Sequence, residues 1–380
     1  MTNVFDYLDW RGDLDFRADP FNAVDNIIFS ILSYYPFDGI VTGGFGAGTI
    51  PLPEAIKELI RLTKENSEVE NQFIFGDRQV EFLPRLAETP RYHDCQLCGY
   101  VNKVDVEKEM QFAVMTILAP NTPPYISFRG TDTAIIGWKE DFNMIFEDVI
   151  PAQIEAANYL TLAGKYLRGK INTGGHSKGG NLAVYAAAFC DEIVQKHIET
   201  IYSNDAPGFN KQIITSDRYK AIEKRIQCYI PESSVVGLLF ECVKNYKVVK
   251  SSENGLLQHD PFSWVVKGKD MEHINSVSRR SIIVNKMLME WLENMDRHTR
   301  IVFVKTLYNI VNEAQIETVH DFTDNTLKNT ALLIKSLSTA DSESKKMLFK
   351  TFSALFEIAK NNIQAFIDIR ANTTANRETT

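Results

Sequence analysis

The stretch GGHSKGGNLA, residues 174–183, decides the fold of this chain. It lies directly after a short β-rich run and directly before an Ala-rich run with helical character. A nucleophilic serine on such a strand-to-helix turn has a strained backbone, and glycine at both flanking positions lets the strand and the helix approach closely. Gly175 and Gly179 meet this need, so the stretch predicts a nucleophile elbow that presents Ser177 and is shaped by His176.

The same turn could also be a Gly-rich turn or a phosphate-binding loop without a nucleophile. A GxSxG pattern also occurs in Gly-rich turns and in phosphate-binding loops, but a phosphate loop needs the GxxxxGK pattern followed by Ser or Thr, which is missing here. In an elbow, the following helix directs its N-terminal dipole and free N–H groups at the carbonyl under attack. We therefore predict that the backbone N–H of Lys178 is an oxyanion donor.

The elbow is embedded in alternating strands and helices, which predict an α/β fold with a mostly parallel central sheet. The segments that carry this prediction are a hairpin of 111–118 and 125–128, helices at 151–167 and 179–189, and strands at 170–173, 200–204, 225–230 and 246–250. Residues 1–110 are mostly helical in pattern, and apolar stripes at helical spacing follow from about residue 276.

This pattern predicts three parts. Residues 1–275 form an α/β-hydrolase domain with an N-terminal helical segment, and residues 276–371 form a C-terminal helical appendage. Residues 372–380 have no apolar anchor, and we expect a disordered tail there.

Composition limits the class of protein. The chain of 380 residues is 44% hydrophobic and 24% charged, as in ordinary folded proteins, and its net charge of −8 disfavours a nucleic-acid partner. Acidic residues near the start argue against a secretory signal, and no apolar run reaches membrane-spanning length. We expect a cytoplasmic protein without a transmembrane segment; its oligomeric state stays open.

The five cysteines do not predict a cofactor site. Cys95 and Cys98 have the spacing of half a zinc site, but no second pair completes four ligands, and unpaired surface thiols are the favoured interpretation. The sequence therefore predicts neither a metal nor a cofactor.

Further motifs carry a resemblance to a known family. The FRGTD run at 128–132 followed by GHSKGG at 175–180 resembles the motif pair of the fungal-type class 3 lipases. The pattern is closer still to a bacterial lipase-like family of unknown function, through YLDWRG at 7–12, NDAPGF at 204–209 and QHDP at 258–261. The resemblance covers residues 1 to about 270 and implies that Thr131 helps to form the oxyanion hole.

A serine hydroxyl needs a histidine that accepts its proton, and that histidine must follow both the nucleophile and the acid in this fold. His197 comes too early, whereas His259 follows the last predicted strand in a loop, where the base is expected. The later histidines lie in or near the helical appendage: His273, His298 and His320. We predict that His259 is the base.

Two residues are candidates for the acid that orients His259. Asp205 ends the strand after the nucleophile helix, in a segment that resembles the acid-bearing DPAxP of the pancreatic-type lipases. Class 3 lipases place the acid after the next strand, where this chain has PESSVV at 231–236 and only Glu232 could serve. Asp205 is favoured and Glu232 remains the alternative.

These residues predict a serine hydrolase that cleaves a small-molecule or lipid carboxylic ester, such as an esterase, lipase or phospholipase, without a cofactor. A thioesterase, an acyltransferase or a peptidase would use the same triad. The alternative from another class is a non-catalytic or regulatory protein that binds a partner or a lipid through its helical region.

Overall fold

The computed structural model describes residues 2–70, 72–241, 243–313 and 342–361. Its strands are β1 (Ile50–Pro51), β2 (Gln96–Asp105), β3 (Met110–Leu118), β4 (Tyr125–Phe128), β5 (Ile171–His176), β6 (Ile198–Asn204), β7 (Ile226–Pro231), β8 (Tyr246–Val249), β9 (Val266–Lys267), β10 (Asp270–Met271) and β11 (His273–Ile274). Nine of these described strands form one sheet, in the order β1-β2-β3-β4-β5-β6-β7-β8-β11. The strands from β4 to β8 are parallel, and the pairs outside them are antiparallel.

Helices precede the sheet, connect its strands and follow it. They are α1 (Val4–Arg11), α2 (Ala23–Leu32), α3 (Leu52–Glu65), α4 (Ser67–Glu70), α5 (Asp77–Glu88), α6 (Pro90–His93), α7 (Ile135–Asn143), α8 (Pro151–Tyr166), α9 (Lys178–Phe189), α10 (Glu192–His197), α11 (Lys211–Thr215), α12 (Asp217–Lys220), α13 (Arg279–Glu293), α14 (Arg297–Glu313) and α15 (Ser342–Asn361). The described helices include none long and apolar enough to cross a bilayer.

The middle of the sheet is buried on both faces. Every residue of β5 is buried, as expected for a parallel strand covered by helices on either side. The helix that follows it, α9, is buried from Lys178 to Ala188, because its glycines and alanines allow close packing on the sheet. The start of α9 is thereby fixed at the carboxyl end of β5.

A buried ion pair holds the parts of the N-terminal segment together. The guanidinium of Arg91 donates from Nε and Nη2 to the two carboxylate oxygens of Asp25, at 2.8 and 2.7 Å, and both side chains are fully buried. Arg91 also donates to the carbonyls of Leu14 and Asp19. One cation thus joins α2, α6 and the loop between α1 and α2.

The chain divides into two compact units. One contains residues 1–133 and 149–276, and the other contains residues 134–148 and 277–380. The second unit is discontinuous in sequence, because α7 comes from the middle of the chain. Within it, the indole of Trp291 donates to the carbonyl of Thr351 at 2.8 Å, which joins α13 to α15.

The α/β class, the large central sheet and the predicted hairpin, β3 paired with β4, are confirmed. The sequence analysis missed β2, which lies in a region expected to be mostly helical. The three-part division of the chain stays a prediction, and the expected disordered tail at 372–380 lies outside the described residues.

We predict that Asp25→Asn lowers the free energy of unfolding by about 3–5 kcal/mol, because the substitution leaves the buried Arg91 without its counter-charge. Urea unfolding of the full chain measures the change. Arg61→Gln is the control, because Arg61 pairs with Glu58 and Glu65 on the exposed side of α3. Loss of these exposed ion pairs should leave the urea midpoint of unfolding unchanged. Equal midpoints for the two variants would show that the buried pair does not hold the N-terminal segment.

Candidate active site

Ser177 lies between β5 and α9, at the predicted elbow. Its backbone has φ 57° and ψ −136°, which residues other than glycine rarely adopt. Hydrogen bonds on both sides hold this conformation: the Ser177 N–H donates to the Asn204 carbonyl at 2.9 Å, and the Ser177 carbonyl accepts from the Gly180 N–H at 3.0 Å. Ser177 is partly exposed, whereas His176 and Lys178 beside it are buried.

Gly175 and Gly179 lie where β5, α9 and the end of β4 approach one another. A Cβ atom on Gly175 would lie 2.5 Å from the Gly179 carbonyl carbon, and one on Gly179 would lie 2.2 Å from the Phe128 carbonyl oxygen. Side chains have no room at either position. The two glycines thus allow the close strand-to-helix turn that exposes Ser177.

Asp205 follows β6, the strand next to β5, and its carboxylate is buried. Like Ser177 it has a positive φ, 46°, which is uncommon for a residue with a side chain. Its Oδ2 lies 2.6 Å from Nδ1 of His259. Its Oδ1 accepts from the Ser234 hydroxyl at 2.5 Å and from the Gly237 N–H at 3.2 Å. Both carboxylate oxygens therefore have protein donors.

His259 ends a short 3₁₀ turn, Gly255–His259, between β8 and β9. Because the carboxylate of Asp205 accepts, Nδ1 of His259 carries the proton and Nε2 of the neutral ring is left as a proton acceptor. The side chain of His259 is 30% exposed. Its orientation and accessibility suit a general base.

The alternative acid is Glu232, after the neighbouring strand β7. Glu232 is exposed just after β7, and its backbone N–H donates to the Val249 carbonyl at 3.1 Å. The carboxylate that contacts the ring of His259 is that of Asp205.

His176 joins the elbow to the loop of the base, a contact that the sequence analysis did not predict. Its Nε2 lies 2.7 Å from the His259 carbonyl, and its Nδ1 lies 3.0 Å from the Tyr34 hydroxyl. A carbonyl can only accept, so Nε2 of His176 carries the proton and Nδ1 accepts from Tyr34. The two imidazole rings are in contact, with centroids 4.5 Å apart. Burial, together with the nearby His259, holds the pKa of His176 well below its usual range, so the ring is neutral.

The FRGTD loop runs against the elbow. A Cβ atom on Gly130 would lie 2.7 Å from the His176 carbonyl and 3.1 Å from Cβ of Ser177. Thr131, the predicted oxyanion residue, is buried next to this contact. The backbone of Lys178 forms the first residue of α9, beside the same serine. Lys178 is thus the residue next to Ser177, and Thr131 follows the glycine that approaches the serine.

Charged and polar groups hold the FRGTD loop in place. Asp132 forms an ion pair with Arg129 at 3.1 Å and accepts from the side-chain amide of Gln111. The buried ammonium of Lys178 donates to the Gln111 carbonyl at 3.3 Å. Since Gln111 lies on β3, these contacts connect the loop and the start of α9 to the same strand.

The loop of the base has anchors of its own. Trp264 Nε1 donates to the Gln258 carbonyl at 2.9 Å. Asp260, the residue after His259, pairs with Arg78 of α5 and accepts from the Phe262 N–H at 2.9 Å. Burial raises the pKa of Asp260, against the opposing effects of the Phe262 N–H and of Arg78.

Sequence reasoning missed the polar residues of α2 and the turn after it. Asn26, Ser30 and Tyr34 are spaced by four in an otherwise apolar run, so a helix places them on one face. Asn26 and Ser30 contact the side chain of Asn204, beneath the elbow, and Tyr34 contacts His176. Their spacing was the available signal, because a polar stripe inside a buried helix needs buried partners.

Four of the five cysteines lie in the described ranges, and all four are buried free thiols. Cys95 and Cys98 are buried, so the interpretation as surface thiols was wrong. Burial raises the pKa of the Cys98 thiol to about 11, which disfavours the thiolate that binds metals. Within the described ranges, no cluster of three or more histidine, cysteine, aspartate or glutamate side chains could hold a metal ion. Cys242 lies outside them.

We predict that His176 stays a neutral Nε2–H tautomer at pH 7 and below, because burial lowers its pKa. Long-range ¹H–¹⁵N NMR of the imidazole nitrogens reads the tautomer directly. Tyr34→Phe, the control, should shift the Nδ1 signal, which loses its donor, and leave the proton on Nε2. An Nδ1–H tautomer or a doubly protonated ring at pH 7 would contradict the hydrogen-bond assignment.

Comparison with known proteins gives one match. No curated protein and no solved structure matches this chain. A family model described as Mbeg1-like matches residues 86–309, more than half of the chain, and this range contains Ser177, Asp205 and His259. The chain therefore belongs to the Mbeg1-like family.

Proposed function

We propose that this chain is a serine-dependent hydrolase of carboxylic esters with an α/β-hydrolase fold. The observation that carries the proposal is the 2.6 Å contact between Asp205 and Nδ1 of His259, on a loop that is joined through His176 to the elbow of Ser177. A buried carboxylate holds one nitrogen of His259, while the side chain as a whole is 30% exposed. A general base needs both.

The proposed reaction has two halves. In the first, the Ser177 hydroxyl attacks the ester carbonyl while Nε2 of His259 takes its proton, and the backbone N–H groups of Thr131 and Lys178 stabilise the oxyanion. The imidazolium then protonates the leaving alcohol as the C–O bond breaks, which leaves an acyl group on Ser177. In the second half, water attacks the acyl group, His259 accepts a proton from that water and returns it to Ser177, and the acid is released.

The fold supports this assignment through chain order. Ser177 follows β5, Asp205 follows β6 and His259 follows β8, which is the order of nucleophile, acid and base in α/β hydrolases. The Mbeg1-like family is lipase-like and related to the class 3 lipases, which favours esters over other acyl compounds as substrates.

The surroundings of the base favour a substrate with an apolar portion. Leu256 and Leu257, three and two residues before His259, are 69% and 67% exposed. Exposed leucines in one short turn are unfavourable in water unless something apolar covers them. We propose that the acyl chain, or another apolar part of the ester, contacts this turn.

We predict that a fluorophosphonate probe modifies Ser177 and that Ser177→Ala abolishes both labelling and ester hydrolysis, because no other group replaces the activated hydroxyl. Mass spectrometry of the labelled peptide identifies the residue, and circular dichroism checks that the variant is folded. Undiminished hydrolysis of a p-nitrophenyl ester by purified Ser177→Ala protein would refute the mechanism.

A second prediction separates the two candidate acids. Asp205→Asn should lower kcat by about 10³- to 10⁴-fold, because an amide no longer holds His259 in the tautomer that accepts the serine proton. Glu232→Gln is the matched control and should leave kcat unchanged, since its carboxylate is exposed after β7. The opposite ranking would transfer the acid's role to Glu232.

A further inference from the structure

The turn after β7 surrounds the carboxylate of Asp205 with donors. The Ser234 hydroxyl donates to Oδ1 at 2.5 Å, and the Gly237 N–H approaches the same oxygen at 3.2 Å. The Gly237 N–H also lies 2.9 Å from the Ser234 oxygen. Ser234 and Asp205 are both buried, so water does not compete for these bonds.

The turn fits the carboxylate closely. A Cβ atom on Gly237 would lie 2.5 Å from Oδ1 of Asp205 and 3.0 Å from the Ser234 oxygen. Glycine is therefore the residue that lets a backbone N–H come within reach of the carboxylate at this point. With the contact to His259 included, Oδ1 faces two donors and Oδ2 faces the base.

The turn that carries Ser234 lies where a related family has its acid. It follows β7, in the segment where the class 3 lipase pattern has its acid, whereas in this chain the acid lies at the end of β6. Here that segment supplies a hydroxyl and an N–H to a carboxylate that comes from the neighbouring strand. A carboxylate free to rotate about its Cβ–Cγ bond would present a single oxygen to His259 only part of the time.

We propose that Ser234 is a positioning residue for the reaction, which fixes the carboxylate of Asp205 so that Oδ2 remains directed at His259. The inference rests on the proposed function, because Asp205 is the acid only if Ser177 is the nucleophile. Ser234 acts through Asp205 and not on the substrate. Its loss should therefore change kcat and leave KM unchanged.

The first test compares adjacent serines. Ser234→Ala should lower kcat about tenfold and leave KM unchanged. A tenfold change corresponds to about 1.4 kcal/mol, which is the size of effect expected when one hydrogen bond to a charged group is lost. Ser233→Ala is the matched control, because its backbone N–H, and not its hydroxyl, contacts Gln258, and it should behave as wild type. Equal kcat values for Ser234→Ala and wild type would overturn the inference.

The second test asks whether Ser234 acts through the acid. In the Asp205→Asn background, Ser234→Ala should cause little further loss of kcat, so the two substitutions should be strongly non-additive. A full additional tenfold loss in the double variant would mean that Ser234 affects the reaction by another route, and the inference would fail.

A third measurement does not depend on activity. The proton shared by His259 Nδ1 and Asp205 should give a low-field ¹H NMR signal, which is lost in Asp205→Asn and shifted or broadened in Ser234→Ala but not in Ser233→Ala. If Ser177→Ala retains hydrolysis, the proposed function fails, and this signal still decides whether Ser234 orients Asp205. If Ser177 is labelled but Ser234→Ala matches wild type in labelling rate and in this signal, the positioning inference alone fails.

Discussion

The buried amide of Asn204 is the constraint on which the proposed site depends. Its Nδ2 donates to the Gly175 carbonyl at 3.0 Å and lies within hydrogen-bond distance of side chains of α2, while its backbone carbonyl accepts from the Ser177 N–H. Leaving a buried polar group unpaired costs about 1–3 kcal/mol, so each partner restricts the positions of the others. Because Asn204 directly precedes Asp205, this one residue fixes the backbone that carries the nucleophile relative to the backbone that carries the acid.

The register of the parallel strands extends that constraint across the sheet. His176 pairs with Asn204, so β5 and β6 end together, and Asn204 pairs with Tyr229, shortly before β7 ends at Pro231 on the same edge. Open α/β sheets bind ligands outside the carboxyl ends of their strands. Here these ends carry Ser177 and Asp205 directly, and the turn with Ser234 follows shortly after β7. The positive φ values of Ser177 and Asp205, 57° and 46°, place backbone strain at the residues proposed to react, where the surrounding hydrogen bonds hold it.

The sequence predicted the features that depend on local pattern. The strand-to-helix turn at Ser177, the hairpin and the helices α8 and α9 were visible because turn residues and apolar periodicity are properties of neighbouring residues. Strand β2 was missed because its pairing with β3 shifts register between Cys98 and Val101, and Gly99 has a positive φ of 62° there, which interrupts the alternation of a regular strand. The choice between Asp205 and Glu232 stayed open because it depends on which carboxylate reaches His259 across strands, and chain order does not contain that distance. Partners far apart in sequence, such as Tyr34 with His176, were missed for the same reason.

The range matched by the family model is narrower than the structure that holds the proposed site. The match begins at residue 86, yet Asn26, Tyr34 and Arg78 lie before it. Without Tyr34, Nδ1 of His176 loses the hydroxyl that donates to it, and without Asn26 the fully buried amide of Asn204 loses a partner. Without Arg78, the partly buried carboxylate of Asp260, beside the base, loses the guanidinium that pairs with it. Each loss affects a residue next to Ser177, Asp205 or His259. The boundary at residue 86 therefore marks where the match to the family model begins, whereas the smallest part of the chain able to hold the proposed triad in place must also include α2 and α5.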